Sequence, residues 1–412
     1  MQYALIGEKL GHSFSKQIHE SVFGYDYELL PLSKDDLDEF FKKRDFKGIN
    51  VTIPYKQTVI KYLDFIDESA EKIGAVNTVV NKNGELYGYN TDFLGMKEAL
   101  LSHGVDVLGK TVLILGTGGT SLTAKAVCES LGASECLRVS RSEKDDAISY
   151  EMAKSDYFSA DVIINTTPVG MFPNCDECPI DLSDFPFLEA VFDAIYNPLC
   201  TKLVVSAKER FINAFGGLYM LVAQAVFAGE LFLGEKASED AISKEYTRIL
   251  KNKQNIVLVG MPSCGKSTIG KMLADSFSRE FIDIDAEIEK SENQKISDIF
   301  EKFGEEHFRN IESREIRKIA SLQGKVVSTG GGAVLREENV ALLKQNGFLV
   351  YIDRPLDLLT PTYDRPLSSD FEALKKRFEE RKPIYESVAD SHVLNDGDID
   401  DVAQNIREMF LF

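Results

Sequence analysis

A short stretch in the middle of the chain has the residue types and the spacing that hold the phosphates of a nucleotide. An apolar run at 256–259 leads into the sequence Gly-Met-Pro-Ser-Cys-Gly-Lys-Ser-Thr at 260–268. Glycines let backbone N–H groups curl around a polyphosphate, Lys266 can reach the outer phosphates, and the Ser267 hydroxyl suits a Mg²⁺ ligand. The pattern predicts a strand, a phosphate loop and a helix, which open a new α/β domain near residue 253. The predicted phosphate contacts come from Ser263, Cys264, Gly265, Lys266, Ser267 and Thr268.

A second glycine-rich turn follows the apolar run at 111–115 and precedes a helical pattern. This arrangement is typical of dinucleotide binding, with Ser121 at a position where glycine or alanine is usual. The next predicted strand ends at Ser140-Arg141-Ser142. An NAD site would place an acid there for the ribose hydroxyl, whereas arginine and hydroxyl groups suit a 2′-phosphate. The sequence therefore predicts NADP(H) as the cofactor, held by Gly116, Gly118, Gly119, Thr120, Ser140 and Arg141.

Composition and charge limit the classes of partner. A chain of 412 residues is long for one hydrophobic core and predicts two or three domains. The formal net charge of -19 argues against nucleic acid and anionic membranes as partners, and any anionic small-molecule substrate must be met by a few placed cations. Six scattered cysteines and the lack of a long apolar run favour a cytoplasmic protein. Cys175 and Cys178 form a lone CxxC pair, which is more typical of a plain loop than of a metal site. The sequence leaves monomer and homodimer as alternatives.

The elements that must position these residues follow an α/β pattern. Before residue 92 the sequence predicts strands at 2–6 and 48–52, helices at 15–23 and 54–63, and a hairpin that turns at Asn83-Gly84. Strands at 161–165 and 190–194 extend the dinucleotide-binding sheet, and residues 216–251 are predicted as one helix. The four residues that follow, 251–254, are too few for a flexible tether.

Three polar clusters lie where these predicted elements end, at 11–15, 50–56 and 88–92. Side chains at the ends of elements can converge on a ligand. Each cluster also has a simpler interpretation, since Ser15 and Asp92 can cap helices and Lys56 can be a solvated surface residue. Taken one at a time, the clusters do not decide between these interpretations.

The order of the clusters resembles that in shikimate dehydrogenases, over about residues 1 to 250. The matching residues are Ser13/Ser15, Thr52/Lys56, 74–78, 90–92, the Gly116 loop, 165–168, 196–198 and 217–224. The resemblance implies that Lys56 is the acid/base and Asp92 its partner. A ketone that accepts hydride develops an alkoxide, and a lysine held by a carboxylate can supply its proton. By the same resemblance, shikimate contacts Ser13, Ser15, Thr52, Asn77, Asp92 and Gln224, with Tyr196 nearby, and Gly217 joins the cofactor site.

From residue 253 to the last residue of the sequence, the chain resembles a shikimate kinase. The matching motifs are the phosphate loop, 281–285, 308–312, Gly330-Gly331-Gly332, 364–367 and 381–385, although Ser263 stands where that family usually has glycine. The resemblance implies ATP and Mg²⁺ as cofactors and assigns Asp285 as the base that accepts the proton of the attacked hydroxyl. It also implies that Asp283 orders Mg²⁺, that Arg309 and Arg381 grip the substrate carboxylate, that Gly331 approaches the ring, and that Arg365 reaches the phosphates from a mobile lid at 359–369.

Together these patterns predict three α/β domains. The first is a substrate-binding domain at 1–98, completed by helices of 217–250, the second a Rossmann NADP-binding domain at 99–216, and the third a phosphate-loop kinase domain with a parallel sheet at 253–412. The expected reactions are the NADPH-dependent reduction of 3-dehydroshikimate to shikimate and the ATP-dependent phosphorylation of shikimate. One alternative is a shift of specificity to quinate or another small polyol. The other is a non-catalytic sensor or regulator, which retention of Lys56, Asp92, Lys266, Asp285 and Arg365 argues against.

Overall fold

The structure is a computed structural model that describes residues 2–10, 14–142, 146–360 and 371–411. It divides into two compact units, each with its own α/β architecture. Unit 1 comprises Met1–Met171, Cys178–Asn197 and Ser206–Arg248. Unit 2 comprises Phe172–Glu177, Pro198–Val205 and Ile249–Phe412. Among the helices of the described residues, none combines the length and the apolar character of a transmembrane segment.

The elements up to Lys253 alternate strands and helices. In chain order they are β1 (Tyr3–Gly7), α1 (Ser15–Phe23), β2 (Tyr27–Pro31), α2 (Lys34–Lys43), β3 (Gly48–Val51), β4 (Phe65–Ile66), α3 (Glu68–Ile73), β5 (Thr78–Lys82), β6 (Glu85–Tyr89), α4 (Thr91–Ser102), β7 (Thr111–Leu115), α5 (Gly119–Ser130), β8 (Glu135–Ser140), β9 (Ile148–Ser149), α6 (Tyr150–Asp156), β10 (Val162–Asn165), β11 (Ala190–Asp193), α7 (Lys202–Glu209), β12 (Asn213–Phe215), α8 (Leu218–Leu233) and α9 (Ala241–Lys253).

The elements after Lys253 form a second alternating series. They are β13 (Asn255–Val259), α10 (Lys266–Phe277), β14 (Phe281–Asp283), α11 (Ile284–Glu292), α12 (Ile296–Phe303), α13 (Glu305–Ala320), β15 (Val326–Ser328), α14 (Glu337–Asn346), β16 (Gly347–Asp353), α15 (Phe371–Val388), β17 (Ser391–Leu394) and α16 (Ile399–Leu411).

The strands of the described residues form three sheets. Their orders are β2-β1-β3-β5-β6-β4, β12-β11-β10-β7-β8-β9 and β14-β15-β13-β16-β17. The first sheet is mixed, because β5 pairs antiparallel with both β3 and β6, while the other two are parallel throughout. The central strands β7 and β13 are almost wholly buried, which explains their continuous apolar sequences. In the parallel sheets, loops that follow neighbouring strands emerge at one edge, and the glycine-rich turns lie there.

Two of the predicted helices are wrong, because the structure has shorter helices in these ranges. Only a short 3-10 helix, Thr58–Tyr62, forms within 54–63. The carbonyl oxygen of Lys56 accepts a hydrogen bond from Val76 N at 2.8 Å, so the α-helical bond that this oxygen would need is replaced by a tertiary one. The predicted helix at 216–251 is two helices, since α8 ends at Gly234 with φ of 72°. The Glu230 carboxylate accepts a hydrogen bond from Ala237 N at 3.0 Å and so stabilises the intervening loop.

Unit 1 buries a histidine in an aromatic cluster. His19, on α1, is fully buried, and its ring stacks on Tyr27 with centroids 4.2 Å apart and on Phe232 at 5.6 Å. Its Nδ1 lies 2.5 Å from the Tyr25 hydroxyl oxygen. Burial lowers the pKa of His19 from 6.5 to about 3, because the charged imidazolium would lose its hydration.

This buried histidine predicts a pH-dependent stability of unit 1. Between pH 3 and pH 6.5 the unfolded chain binds a proton at His19 that the folded chain does not, so the free energy of unfolding should fall as the pH falls. The expected slope from this residue is about 1.4 kcal/mol per pH unit. Replacement by phenylalanine keeps a ring but removes the titration. The measurement is the free energy of unfolding in denaturant, for the chain and for His19→Phe, between pH 4.5 and 7.5. Below pH 6.5 the difference between the two proteins should change with pH by this slope. A difference that does not depend on pH would contradict the assignment.

Candidate functional sites

The first site is a cavity of about 360 Å³ in unit 1 that brings together residues from distant parts of the chain. The residues of the predicted site that line it are Ser15, Thr52, Lys56, Asn77, Asp92, Thr120, Tyr196, Gly217 and Gln224. Predicted substrate residues and two predicted cofactor residues, Thr120 and Gly217, therefore share one cavity. Ser13 lies outside the described residues.

An ion pair forms part of the lining of this cavity. Lys56 Nζ lies 2.6 Å from Asp92 Oδ2, with the two side chains 32% and 21% exposed. Asp92 is held in the first turn of α4, whose N-cap Asn90 accepts a hydrogen bond from Phe93 N at 3.1 Å. The α4 and α8 helices approach closely at Gly95, where an added Cβ would lie 2.9 Å from Gln224 Cβ. This packing places the two helices that carry Asp92 and Gln224 side by side.

The predicted dinucleotide turn has the form that phosphate binding requires. Gly116 has φ of 107°, and an added Cβ at Gly118 or Gly119 would meet open space. The N-terminus of α5 has no side-chain cap hydrogen bond, so no capping side chain takes the place that a pyrophosphate would occupy. Ser121 is fully buried, and its hydroxyl donates to Gly118 O at 2.6 Å, which explains how serine replaces the usual small residue.

The residues predicted to bind the 2′-phosphate lie at the end of β8. Ser140 Oγ accepts a hydrogen bond from Ser142 N at 3.2 Å, and the turn between them leaves Arg141 exposed. Like the Gly116 turn, this segment follows a strand of the parallel sheet and emerges at the same edge. These residues do not line the first cavity beside Lys56, which is consistent with binding the far end of an extended cofactor.

The second site consists of two neighbouring cavities in unit 2. One, of about 270 Å³, surrounds the phosphate loop and is lined by Ser263, Gly265, Lys266, Ser267, Thr268, Asp283 and Asp285, among others. The other, of about 640 Å³, is lined by Asp283, Asp285, Arg309, Gly331 and Arg381 together with aromatic residues. Both cavities share Pro262, Asp283 and Asp285, so the two acids lie where the cavities meet. Arg365 and most of the predicted lid lie outside the described residues.

The phosphate loop is shaped by left-handed backbone. Gly260, Ser263 and Gly265 have φ of 146°, 63° and 97°. The position of Ser263 explains why glycine is usual there, since only glycine adopts this conformation without cost. Lys266 Nζ donates to Gly260 O at 2.9 Å and to Met261 O at 2.8 Å. The Cys264 side chain is buried away from the cavity, so only its backbone can serve a phosphate.

Side-chain oxygen atoms of neighbouring residues lie close to the Ser267 hydroxyl. Its hydroxyl donates to Asp283 Oδ2 at 2.7 Å and lies 3.4 Å from Ser328 Oγ. Asp283 also caps α11 by accepting from Asp285 N at 3.1 Å. Hard oxygen ligands of this kind suit Mg²⁺, which usually keeps waters and takes its other ligands from nucleotide phosphates. Among the described residues, no cluster of three or more His, Cys, Asp or Glu side chains could hold a metal by itself.

The two predicted carboxylate-binding arginines are held in place before any ligand binds. Arg309 Nη1 donates to Glu312 at 2.7 Å and Nη2 to Glu305 at 3.1 Å. Gly332 leaves room for this guanidinium, since an added Cβ would lie 2.2 Å from it. Arg381 Nη1 donates to Gly331 O at 3.0 Å. An added Cβ at Gly331 would meet Pro262 of the phosphate loop at 2.7 Å, so the glycine lets these two segments pack.

Comparison with known proteins identifies both regions. The family model for the shikimate dehydrogenase substrate binding domain matches residues 5–79, and the model for shikimate kinase matches residues 262–410. A shikimate dehydrogenase (NADP(+)) from Clostridium beijerinckii is 38% identical over 248 residues, which cover 56% of this chain and 91% of that protein. The equivalent protein of Clostridium perfringens is 36% identical over 263 residues and is covered to 97%.

The solved structures that resemble this chain lead to the same dehydrogenase family. A chorismate mutase/shikimate 5-dehydrogenase fusion protein from Clostridium acetobutylicum superposes with a TM-score of 0.57 at 34% identity, covering 60% of this chain and 96% of that one. The Thermus thermophilus shikimate 5-dehydrogenase solved with NADP(H) and shikimate gives 0.54 at 27%, covering 60% and 99%. The chain belongs to the shikimate dehydrogenase family and continues into a shikimate kinase domain. The predicted α/β fold class is confirmed, and the matches lend no support to the alternative functions.

Two side chains of these sites were missed from the sequence. Asn50 lines the dehydrogenase cavity within a motif that was recognised, but an asparagine at the end of a strand gives no signal of its own. Glu312 lines the kinase cavity and is fully buried. Burial raises the pKa of Glu312, and the Arg309 guanidinium opposes that shift. Its spacing of three from Arg309 on one helix was the available signal.

The burial of Glu312 predicts that the two carboxylates that hold Arg309 differ in their importance for substrate binding. The side chain of Glu312 is unexposed, whereas that of Glu305 is 47% exposed and screened by solvent. Replacing Glu312 with glutamine keeps its volume but removes the buried counter-charge, so the guanidinium should lose its fixed orientation. We expect Glu312→Gln to raise the shikimate KM of the kinase at least about tenfold, equivalent to about 1.4 kcal/mol.

The matched control is Glu305→Gln, which should change that KM less than about threefold because half-exposed ion pairs contribute little. Steady-state phosphorylation kinetics measure both variants, and NADPH oxidation by the same preparations verifies that the chain is folded. Equal effects of the two substitutions, or a lower KM in Glu312→Gln, would contradict this role.

Proposed function

We propose that the chain reduces 3-dehydroshikimate to shikimate with NADPH and then phosphorylates shikimate with ATP, at the hydroxyl made by the first reaction. The observation that carries the proposal is common to both units. In unit 1, one cavity joins predicted substrate residues to Thr120 and Gly217 of the cofactor site. In unit 2, the two cavities that meet at Asp283 and Asp285 join the arginines to the phosphate loop.

In the dehydrogenase site, Lys56 acts as the general acid. When bound, the reduced nicotinamide supplies a hydride to the ketone carbon. Negative charge then develops on the ketone oxygen, and the Lys56 ammonium both stabilises it and donates the proton. Asp92, 2.6 Å from the Lys56 nitrogen, keeps the ammonium oriented towards the cavity. Ser15, Thr52 and Gln224 provide hydrogen-bonding groups around the remaining hydroxyls of the substrate.

NADP(H) rather than NAD(H) is the natural cofactor of this site. The curated relatives are named for NADP(+), and the exposed Arg141 follows β8 where a 2′-phosphate would be met. An arginine there forms charge-assisted hydrogen bonds with that phosphate. The open turn at Gly118 and Gly119 receives the pyrophosphate at the N-terminus of α5.

In the kinase site, Asp285 accepts the proton of the attacking hydroxyl. Arg309 and Arg381 hold the shikimate carboxylate and so place that hydroxyl at the junction of the two cavities. Lys266 would exchange its loop carbonyls for the phosphates, and Ser267 and Asp283 would hold Mg²⁺. Bound Mg²⁺ neutralises charge on the transferred phosphoryl group. By resemblance, Arg365 adds a further cation.

We place the chain in the cytoplasm, where both small-molecule cofactors and reduced thiols are found. The absence of a disulfide among the described cysteines supports this location.

Each unit holds its own site, so the two activities should be separable by single substitutions. Lys56→Ala should lower 3-dehydroshikimate reduction roughly 100- to 10,000-fold, the usual contribution of a general acid, and leave shikimate phosphorylation intact. Lys266→Ala should do the reverse. Spectrophotometric NADPH oxidation and a coupled ADP assay on the same preparations measure the two rates.

Matched controls are Lys61→Ala and Lys271→Ala, which remove exposed lysines from the neighbourhood of each site. Both should retain both activities. Loss of the two activities together in a folded Lys56→Ala or Lys266→Ala protein would overturn the picture of two independent sites.

A further inference from the structure

A chain of buried hydrogen bonds leads from the core of unit 1 to the dehydrogenase cavity. It begins at Tyr27, which is fully buried and whose hydroxyl donates to Asn50 Oδ1 at 2.7 Å. Asn50 Nδ2 in turn donates to Thr78 Oγ1 at 3.0 Å and to Asn77 O at 3.3 Å. The Asn50 amide is therefore engaged through both its oxygen and its nitrogen inside the protein, which indicates a supporting role beside the cavity.

The chain ends on the Asn77 amide and fixes its orientation. Asn77 Oδ1 accepts from Thr91 N at 2.7 Å, from Thr91 Oγ1 at 3.2 Å and from Thr78 Oγ1 at 3.1 Å. A backbone N–H can only donate, so the side-chain atom facing Thr91 N must be the oxygen rather than the nitrogen. The Asn77 side chain must then present its NH₂ group to the cavity that it lines. The site meets its ligand there with a hydrogen-bond donor.

The ring at the start of this chain is itself immobilised. His19 stacks on Tyr27 with an interplanar angle of 5°. Burial keeps the pKa of His19 at about 3, so the imidazole is neutral at physiological pH and adds no charge to the network. Ser15, in the first turn of α1, lines the cavity four residues before His19. The aromatic cluster thus anchors both α1 and β3, the strand that carries Asn50.

We propose that Tyr27, a residue that does not line the cavity, is a positioning residue for substrate binding, acting through Asn50 on the donor face of Asn77. The inference rests on the proposed dehydrogenase function and adds a residue to it. Without the phenol, the buried Asn50 oxygen would lose its 2.7 Å donor, and such a loss costs about 1–3 kcal/mol. Rotation of the Asn50 amide would relieve that cost but would withdraw its nitrogen from Thr78 and from the backbone of Asn77. The Asn77 amide would then keep its bonds from Thr91 but lose the support that Asn50 gives to its backbone and to Thr78, so its donor would be held less firmly.

The test is a double-mutant cycle of Tyr27→Phe and Asn50→Ala in the full chain. Tyr27→Phe keeps the ring and its stack on His19. We expect it to raise the KM for 3-dehydroshikimate about fivefold to twentyfold, with kcat and the NADPH KM within about twofold and shikimate phosphorylation unchanged. In the Asn50→Ala background the same change should add less than about twofold, because its effect passes through Asn50.

Two further variants separate positioning from general loss of stability. Tyr25→Phe removes a hydroxyl of the same aromatic cluster that bonds to His19 rather than to Asn50, and it should change the KM less than twofold. Thr78→Val removes the hydroxyl that joins Asn50 to Asn77 and should reproduce the rise in KM. Additive effects of Tyr27→Phe and Asn50→Ala, an unchanged KM, or an equal effect of Tyr25→Phe would overturn the proposal.

Failure of the proposed dehydrogenase function can be distinguished from failure of the positioning role of Tyr27. If the unmodified chain bound shikimate but did not oxidise or reduce it, the catalytic proposal would fail. The same cycle, measured as shikimate Kd by calorimetry in an Arg381→Ala background that removes a carboxylate-binding cation from the kinase site, would still test the positioning. A non-additive rise in Kd supports Tyr27, and additive changes reject it.

Discussion

Cations held by carboxylates are the interaction on which both sites depend. The chain carries a net charge of -19 yet binds anionic ligands, so its field as a whole repels them. Attraction must come from single cations fixed at short range. Lys56 is fixed by Asp92 and Arg309 by the buried Glu312, each at a nitrogen–oxygen distance below 3 Å. Such pairs hold the cationic side chain in one orientation in the absence of ligand. Binding then costs less conformational entropy, because fewer side chains have to be ordered.

Parallel pairs of strands supply the geometry that these cations need, and β3, β7 and β13 each have a parallel neighbour. Thr52 follows β3, the dinucleotide turn follows β7, and the phosphate loop follows β13. Because the carboxyl ends of parallel strands share one edge, residues far apart in sequence reach one cavity there. This is why the polar clusters could be named as candidates from the sequence, although only the resemblance of their order to shikimate dehydrogenases favoured a site over a simple structural role. Each follows an apolar run, and the fold class and both glycine-rich turns have strong local patterns.

The parts that could not be predicted depend on tertiary contacts. The helix expected at 54–63 fails because Val76 N takes the carbonyl of Lys56, a partner that no local pattern reveals. The break after α8 depends on Gly234 and on the Glu230 side chain that closes the following loop. Asn50 and Glu312 form hydrogen bonds with the backbone or side chains of residues predicted to face the ligand. Both residues are recognised by their burial and by their hydrogen-bond partners. Neither property can be read from the sequence.

We propose that one oxygen atom passes through both sites, first as a ketone and then as the hydroxyl that is phosphorylated. The direct measurement supplies the chain with 3-dehydroshikimate, ATP, Mg²⁺ and NADPH that carries deuterium at the transferred position, and records the ³¹P spectrum of the product. We predict shikimate phosphate whose phosphorus signal has lost its coupling to the proton of the phosphorylated carbon, because the hydride delivered there was deuterium. A phosphorylated product that retains this coupling, or reduction without phosphorylation, would contradict it.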